Sequence, residues 1–200
     1  PCLIAHTLFK YKLIRSNFVV FGTSWETNFT GKYFPVNLYA ASKKASENLL
    51  MHYTLNGVRV INFKLFDTYG PKDKRKKLLN LIIKSLKNNR KLKTTRGIQE
   101  INLTHVLDIC RGIELGIKES LNWNFKKFGI SNFYLGSKKT YTVRKIIKIA
   151  EKTLNKKKKL IFGELKYKER EPMKTFKDFK TPKKWKPIND IQVFLKILKC

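Results

Sequence analysis

A tyrosine and a lysine stand four positions apart, at Tyr39 and Lys43, near the start of a segment with helical periodicity. Side chains at this spacing share one face of an α-helix, so a helix here would bring the lysine ammonium to the phenol. An ammonium in that position stabilises the phenolate form of the tyrosine. Such a tyrosine can donate a proton to a sugar hydroxyl or carbonyl, or accept one from it. The pattern also arises by chance, and the alternative is an ordinary pair on a helix surface.

Two hydroxyl side chains precede this pair, at the end of the apolar run 17–22. A hydroxyl at the end of a strand can hydrogen-bond the same substrate oxygen that the tyrosine protonates. Ser24 is the favoured candidate for that role and Thr23 is the second. The order of strand, hydroxyl and tyrosine-bearing helix favours a catalytic interpretation over the surface pair.

The surrounding periodicity predicts elements that would hold these residues in place. The run 17–22 and the run 58–65 are apolar and rich in β-branched residues, whereas 37–55 has the apolar spacing of a helix. A strand, a helix and a strand in this order predict a parallel α/β crossover. Similar patterns predict helices at 78–86, 104–117 and 143–154 (capped by Thr142), and strands at 132–136 and 160–162.

Composition limits the possible functions. The chain of 200 residues carries a formal net charge of +30, which is typical either of binding to nucleic acid or an acidic membrane surface, or of a lysine-rich proteome. The lysines are spread over the whole chain, so we favour the second explanation. The 3 cysteines lack metal-site spacing, which argues against a metal site or a disulfide framework and favours a reducing cytoplasm. No apolar run is long enough to cross a bilayer.

Five segments of the chain resemble sequence motifs of the NAD-dependent epimerase/dehydratase family, the extended short-chain dehydrogenase/reductases, and they occur in the same order. The similarity covers nearly the whole chain, and its strength lies in the order of the segments. They are 37–45 (NLYAASKKA), 63–71 (FKLFDTYGP), 97–109 (GIQEINLTHVLDI), 133–137 (FYLGS) with 140–143, and 167–173 (YKEREPM) with 185–187 (WKP). Within the family, 22–26, 35–39 and 66–78 look most similar to CDP-abequose and CDP-paratose synthase-like nucleotide-sugar reductases.

The resemblance implies a Rossmann-like parallel α/β fold with a small α/β lobe that binds the nucleotide sugar. We expect a partial dinucleotide-binding domain at 1–125 and a mainly substrate-binding lobe at 126–200, with the two interleaved in sequence. The implied function is NAD(P)-dependent oxidation, reduction or epimerisation at C4 of a nucleotide-diphosphate sugar for polysaccharide synthesis, by an enzyme that commonly forms homodimers. Neither nucleic acid nor a membrane is an expected partner.

The resemblance also implies roles for individual residues. Tyr39 is the expected acid/base, tuned by Lys43, and Ser24 or Thr23 contacts the reacting oxygen. Asp67 and Lys168 depart from the family, which usually has asparagine and arginine there. The full expected set comprises the cofactor-binding residues Tyr39, Lys43, Phe66 and Thr68, and the substrate-binding residues Asp67, Arg75, Lys76, Asn102, Lys168 and Arg170.

The glycine-rich fingerprint that binds the pyrophosphate of NAD or NADP does not occur in these 200 residues. In the resembled family it precedes the catalytic strand, so we expect the first strands of the sheet to be missing from this chain. Two alternatives therefore stay open: an inactive, truncated remnant of such an enzyme, and a basic nucleic-acid-binding module.

Overall fold

The computed structural model of the chain describes residues 1–13, 17–121, 129–156 and 160–198. The helices are α1 (Cys2–Lys10), α2 (Leu38–Leu55), α3 (Leu78–Lys87), α4 (Val106–Leu121), α5 (Val143–Leu154) and α6 (Ile191–Ile197). The strands are β1 (Asn17–Thr23), β2 (Arg59–Leu65), β3 (Asp67–Tyr69), β4 (Leu92–Thr94), β5 (Glu100–Ile101), β6 (Leu103–His105), β7 (Ile130–Leu135), β8 (Tyr141–Thr142) and β9 (Leu160–Phe162).

The chain forms two compact units, each built from separate segments. The first unit consists of Pro1–Phe66, Ile109–Gly136 and Phe176–Lys186. The second consists of Asp67–Asp108, Ser137–Thr175 and Pro187–Cys200. The segment 67–108 belongs to the second unit, where β3 and β6 pair with each other and α3 packs on α5.

A parallel sheet with strand order β1-β2-β7 forms the centre of the first unit. Val19 is opposite Ile61, and Phe63 is opposite Phe133. The face that carries Ile61, Phe63 and Phe133 is apolar, whereas the other face combines Val60 with the buried polar residues Asn62 and Lys64. Because β1 and β2 are joined through α2, the predicted strand, helix and strand arrangement is confirmed.

Alternate residues of the sheet pack on different helices, as strand geometry requires. Val58 and Val60 pack with Leu50 of α2 and Ala5 of α1. On the other face, the strand residues Ile61, Phe63, Phe133 and Leu135 pack with Ile109 of α4 and with Trp185. Each face of the sheet is therefore covered by its own apolar cluster.

A helical core with short peripheral strands makes up the second unit. The strands pair as β3 with β6 and β4 with β9, both parallel, and as β5 with β8, antiparallel. Residues of α3, α5 and α6 form the apolar cluster between the helices, among them Ile82, Ile146, Ile147 and Leu195, all less than 2% exposed. Among the described residues, no helix is long and apolar enough to span a membrane.

Candidate active site

Tyr39 lies in the first turn of α2. The side chain of Asn37 begins this helix, because its Oδ1 accepts a hydrogen bond from the Ala40 N–H at 3.0 Å. The Lys43 ammonium lies 5.6 Å from the centre of the Tyr39 ring. The tyrosine remains 54% exposed, so its ring is accessible to a ligand. The two side chains therefore share one face of the helix, as their spacing predicts.

The hydroxyls of Thr23 and Ser24 have different surroundings. Thr23 is buried and caps a short 3-10 turn (Ser24–Glu26), in which its Oγ1 accepts the Trp25 N–H at 3.3 Å. Ser24 is only half-buried, and its hydroxyl makes no hydrogen bond to any other residue that the structure describes. Thr23 is thus committed to the local backbone, whereas Ser24 is the more accessible of the two hydroxyls.

Backbone hydrogen bonds tie this turn to the entrance of α2. The Val36 N–H donates to the Trp25 carbonyl at 3.0 Å, and the Phe34 N–H donates to the Glu26 carbonyl at 2.9 Å. The turn also packs directly on α2. Ser24 and Tyr39 are therefore held on neighbouring segments of the same unit.

A buried ionic cluster lies beneath these segments, and our sequence analysis missed it. Lys64 of β2 contacts Glu26 of the turn at 2.8 Å and Glu47 of α2 at 2.9 Å. The sequence signal for this cluster was Lys64 itself, a lysine within a mostly apolar strand. A charged side chain in that setting is almost always paired. Its two carboxylate partners come from separate elements and could not be identified from spacing.

Phe66, a predicted cofactor-binding residue, is buried in an aromatic cluster of the first unit. Its ring centre lies 5.1 Å from that of Phe179 and 6.0 Å from that of Tyr134. Gly136 lies against the ring so closely that a Cβ at this position would overlap it. The Phe66 side chain thus serves packing, and any contact of this residue with a cofactor falls to its main chain.

In the second unit, two of the predicted site residues line a small pocket, and a third, Arg75, is bonded to its rim. Asp67 and Thr68 line the pocket with Asp73, Lys77 and Asn80. One edge of the Arg75 guanidinium is used internally: Nε and Nη2 each donate to Asp73 at 2.8 Å, and Nη2 also donates to the Thr68 carbonyl at 3.3 Å.

Opposite pKa shifts distinguish the two carboxylates of this pocket. Burial raises the pKa of Asp67 above its ordinary value, although the positive charges of Lys77 and Arg75 act against this. The hydrogen bonds from Arg75 hold the pKa of Asp73 well below its usual range. Asp67, 3.7 Å from the Lys77 ammonium, is thus the carboxyl that is easier to protonate.

The remaining predicted substrate-binding residues lie in different settings. Asn102 is 2% exposed and bonds the Ser137 main chain. Lys76, Lys168 and Arg170 are all exposed. The segment that carries Lys168 and Arg170 is fastened to β5, where the Glu100 N–H donates to the Met173 carbonyl at 3.1 Å. In the described ranges, histidine, cysteine and acidic side chains form no group of three that could hold a metal.

Solved structures share this fold. The UDP-glucose 4-epimerase of Thermotoga maritima, solved with UDP-glucose, superposes with a TM-score of 0.80 at 16% identity, covering 98% of this chain and 66% of that one. The UDP-glucuronic acid 4-epimerase of Bacillus cereus, in complex with UDP-glucuronic acid and NAD, gives a TM-score of 0.78 at 22% identity, covering 98% and 64%. The predicted Rossmann-like α/β fold is thereby confirmed.

The family follows from the sequence comparison. Residues 20–128 match the family model described as "NAD dependent epimerase/dehydratase family". The chain belongs to this family.

Two of the curated relatives are CDP-abequose synthases. The CDP-abequose synthase of Yersinia pseudotuberculosis is 33% identical over 97 residues, covering 48% of this chain and 34% of the relative. The CDP-abequose synthase of Salmonella muenchen is 24% identical over 152 residues, covering 75% and 50%. The chain thus spans between a third and a half of the length of these relatives.

The side chains of this chain fit one part of the cofactor that its family uses. A phenol and an ammonium, one helical turn apart and half-exposed, suit the ribose and nicotinamide end of NAD or NADP. The pyrophosphate end requires a glycine-rich turn before a helix, and these 200 residues contain no such fingerprint. The fit of the described residues is therefore to the reacting end of the cofactor alone.

Proposed function

We propose that the protein containing this chain is an NAD(P)-dependent oxidoreductase or epimerase that acts at C4 of a nucleotide-diphosphate sugar. The main support is the pairing of Tyr39 and Lys43 in the first two turns of α2, with the lysine ammonium 5.6 Å from the ring centre. The half-buried Ser24 hydroxyl, on a turn fastened to the entrance of the same helix, provides a second donor.

In the reductive direction, Tyr39 gives its phenolic proton to the C4 oxygen as the carbonyl becomes a hydroxyl. Ser24 donates a hydrogen bond to the same oxygen and holds it toward the phenol. Lys43 stabilises the phenolate that remains and contacts the ribose of the cofactor. Nicotinamide, when bound, supplies the hydride to C4, so that the carbonyl gains one hydride and one proton. The oxidative direction reverses each transfer.

The second unit provides groups for the nucleotide diphosphate. Lys76, Lys168 and Arg170 are exposed cations suited to phosphate oxygens. Arg75, held by Asp73, presents its remaining N–H donors in a fixed direction. Asp67 and Thr68 line the adjoining pocket, and the Asp67 N–H donates to the Asn102 carbonyl at 3.1 Å.

For the substrate, we propose a CDP-4-keto-6-deoxy sugar reduced at C4 with NADPH. The similarity to two CDP-abequose synthases supports this choice. The dTDP- and UDP-linked keto sugars, and epimerisation in place of net reduction, are the alternatives.

The test uses the full-length protein in which this chain occurs. Purified protein is mixed with NADPH or NADH and with CDP-, dTDP- or UDP-linked 4-keto-6-deoxyglucose, and loss of reduced nicotinamide is followed by absorbance. We expect turnover with the CDP sugar and a drop in kcat of at least about 100-fold in Tyr39→Phe, which removes the acid/base group.

Tyr33→Phe is the matched control, because Tyr33 is a similarly exposed tyrosine of the same unit. Its kcat should equal that of the wild type. Unchanged turnover in Tyr39→Phe would refute the acid/base role. Absence of turnover by the wild type with every sugar would favour the inactive alternative.

A further inference from the structure

Three elements of the first unit meet at one buried ammonium group. The Lys64 side chain is 6% exposed, although it starts from the middle of the parallel sheet. Its Nζ lies 2.8 Å from Glu26 Oε2 and 2.9 Å from Glu47 Oε2. One group of β2 thus bridges the 3-10 turn and α2.

On one side, Glu26 connects this ammonium to the turn that bears Ser24. Glu26 is 0% exposed, and its Oε1 accepts the Thr23 N–H at 2.9 Å. A Cβ added to Gly22 would lie 2.8 Å from the same Oε1, so the strand end and the carboxylate are closely packed. The position of the turn therefore depends on where the Glu26 carboxylate is held.

On the other side, Glu47 connects the ammonium to the helix that bears Tyr39. Its Oε1 contacts Lys44 Nζ at 3.2 Å and accepts a hydrogen bond from Asn132 Nδ2 at 3.1 Å. Its Oε2 contacts Asn62 Nδ2 at 3.3 Å in addition to Lys64. These bonds join α2 to β2 and β7, and because Glu47 follows Lys43 by one turn, they fix the rotation of the helix.

The charges of this cluster balance. Burial alone would raise the pKa of Glu47, but the hydrogen bond from Lys64 and the charges of Lys64 and Lys44 hold it below its usual value. Burial alone would lower the pKa of Lys64, but its bonds to Glu26 and Glu47 raise it. Removing one member of such a cluster leaves a buried charge without compensation, whereas replacing all members with neutral groups need not destabilise the fold.

We propose that Lys64 is a positioning residue whose ammonium, acting through Glu26 and Glu47, sets the separation of the Ser24 hydroxyl and the Tyr39 phenol. The inference rests on the proposed function for its catalytic consequence. Its structural part, the bridging of the turn and the helix, can be measured without any substrate.

The experiment compares three variants in the full-length protein. Lys64→Arg keeps the charge with a different geometry, and Glu26→Gln keeps the size and the acceptor for Thr23. The triple variant Lys64→Met/Glu26→Gln/Glu47→Gln removes the buried charges and leaves only Lys44, whose side chain is 30% exposed, without its carboxylate partner. Lys118→Met is the matched control, because Lys118 forms an exposed pair with Glu114 at 2.6 Å.

The first readout is backbone hydrogen exchange at Thr23 and Thr27. In the triple variant we expect exchange there to rise about tenfold through local opening, with amides of the second unit unchanged.

The second readout is steady-state kinetics with NADPH and CDP-4-keto-6-deoxyglucose. We expect kcat to fall about 100-fold with little change in KM, because a small displacement of reacting groups costs this much, and Lys64→Arg and Glu26→Gln should lie between wild type and the triple variant.

A folded triple variant with wild-type exchange and kcat would overturn the proposal. Global unfolding of the triple variant and of Glu26→Gln would overturn it as well, since the cluster would then be needed for the fold itself. Failure of the proposed function is distinguishable from both outcomes: the wild type would show no turnover, while exchange at Thr23 would still respond to the variants.

Discussion

Asn102 and Ser137 exchange two hydrogen bonds. The Asn102 Nδ2 donates to the Ser137 carbonyl at 2.7 Å, and the Ser137 N–H donates to Asn102 Oδ1 at 2.9 Å. A side-chain amide here mimics a backbone pairing and links the end of β5 to the segment that follows β7. Its amide is therefore used within the protein, so the substrate-binding role that we predicted for Asn102 is proposed as an indirect one.

Asn102→Ala should destabilise the second unit by about 2 kcal/mol, because two main-chain groups of the partly buried Ser137 lose their hydrogen-bond partners. Urea unfolding of wild type and variant measures the difference. Asn48→Ala is a suitable control, since Asn48 is an exposed asparagine of α2 and its loss should change stability by less than about 0.5 kcal/mol. Equal stability of Asn102→Ala and wild type would contradict the role of this amide.

Asp108 fastens the loop before α6. Its carboxylate is 0% exposed and accepts the N–H groups of Ile188 at 3.1 Å and Asn189 at 2.9 Å. In Asp108→Ala we expect exchange of these two amides to accelerate at least about tenfold, as two hydrogen bonds to a charged acceptor are lost. Asp178→Ala, which changes an exposed aspartate, provides the control. Unchanged protection of the two amides would show that Asp108 does not hold the loop.

Gly116 allows α4 to approach the sheet closely. A Cβ at this position would lie 2.6 Å from Cε1 of Phe63. Gly116→Ala should therefore cost about 1 to 2 kcal/mol by overpacking, in spite of the better helix propensity of alanine. The double variant with Phe63→Leu should lose less stability than the two single changes predict, because the smaller side chain makes room for the methyl group. Strict additivity would mean that the two residues do not compete for space.

His105 should make the second unit sensitive to acid. Burial lowers its pKa, although the negative charge of Asp108 acts in the opposite direction. The unfolded chain then binds more protons than the folded one, so the stability contributed by the neutral ring is present above about pH 6.5 and is lost as the pH falls through the lowered folded-state value. Urea unfolding between about pH 7.5 and pH 5 should show this decline.

His105→Asn should flatten that decline, because asparagine does not titrate in this range. Its side-chain oxygen can still accept the Leu107 N–H, which His105 Nδ1 accepts at 3.3 Å. The same change at His52, an exposed histidine, is the control and should preserve the slope. An unaltered slope in His105→Asn would assign the acid sensitivity to another group.

Sequence periodicity predicted the elements that have long apolar stripes. The α5 helix begins and ends where we expected, and Thr142 caps it by accepting the Lys145 N–H at 3.2 Å. The expected helix at 104–117 starts later, at Val106, because Leu103–His105 pair with β3. The strands β5 and β8 were not predicted, since a segment of two residues has no measurable alternation and is defined only by its partner.

In the candidate site, too, some residues could be predicted from the sequence and others could not. The Tyr39 and Lys43 pair could be found because both residues lie on one helix, where four positions of separation determine their proximity. Lys64, Glu26 and Glu47 could not, because their contacts join a strand, a turn and a helix that are distant in sequence. The internal use of Arg75 was also unpredicted, as the hydrogen bonds to Asp73 depend on the local turn.

The polypeptide passes between the two units after Phe66, Asp108, Gly136, Thr175 and Lys186. Neither unit is encoded by one continuous stretch of sequence. Truncating the chain from either end therefore cannot isolate one unit intact. A polypeptide shortened to end at Thr175, for example, would lose Trp185 from beneath the sheet together with the whole of α6. Isolating one unit would require its separate segments to be joined by new linkers.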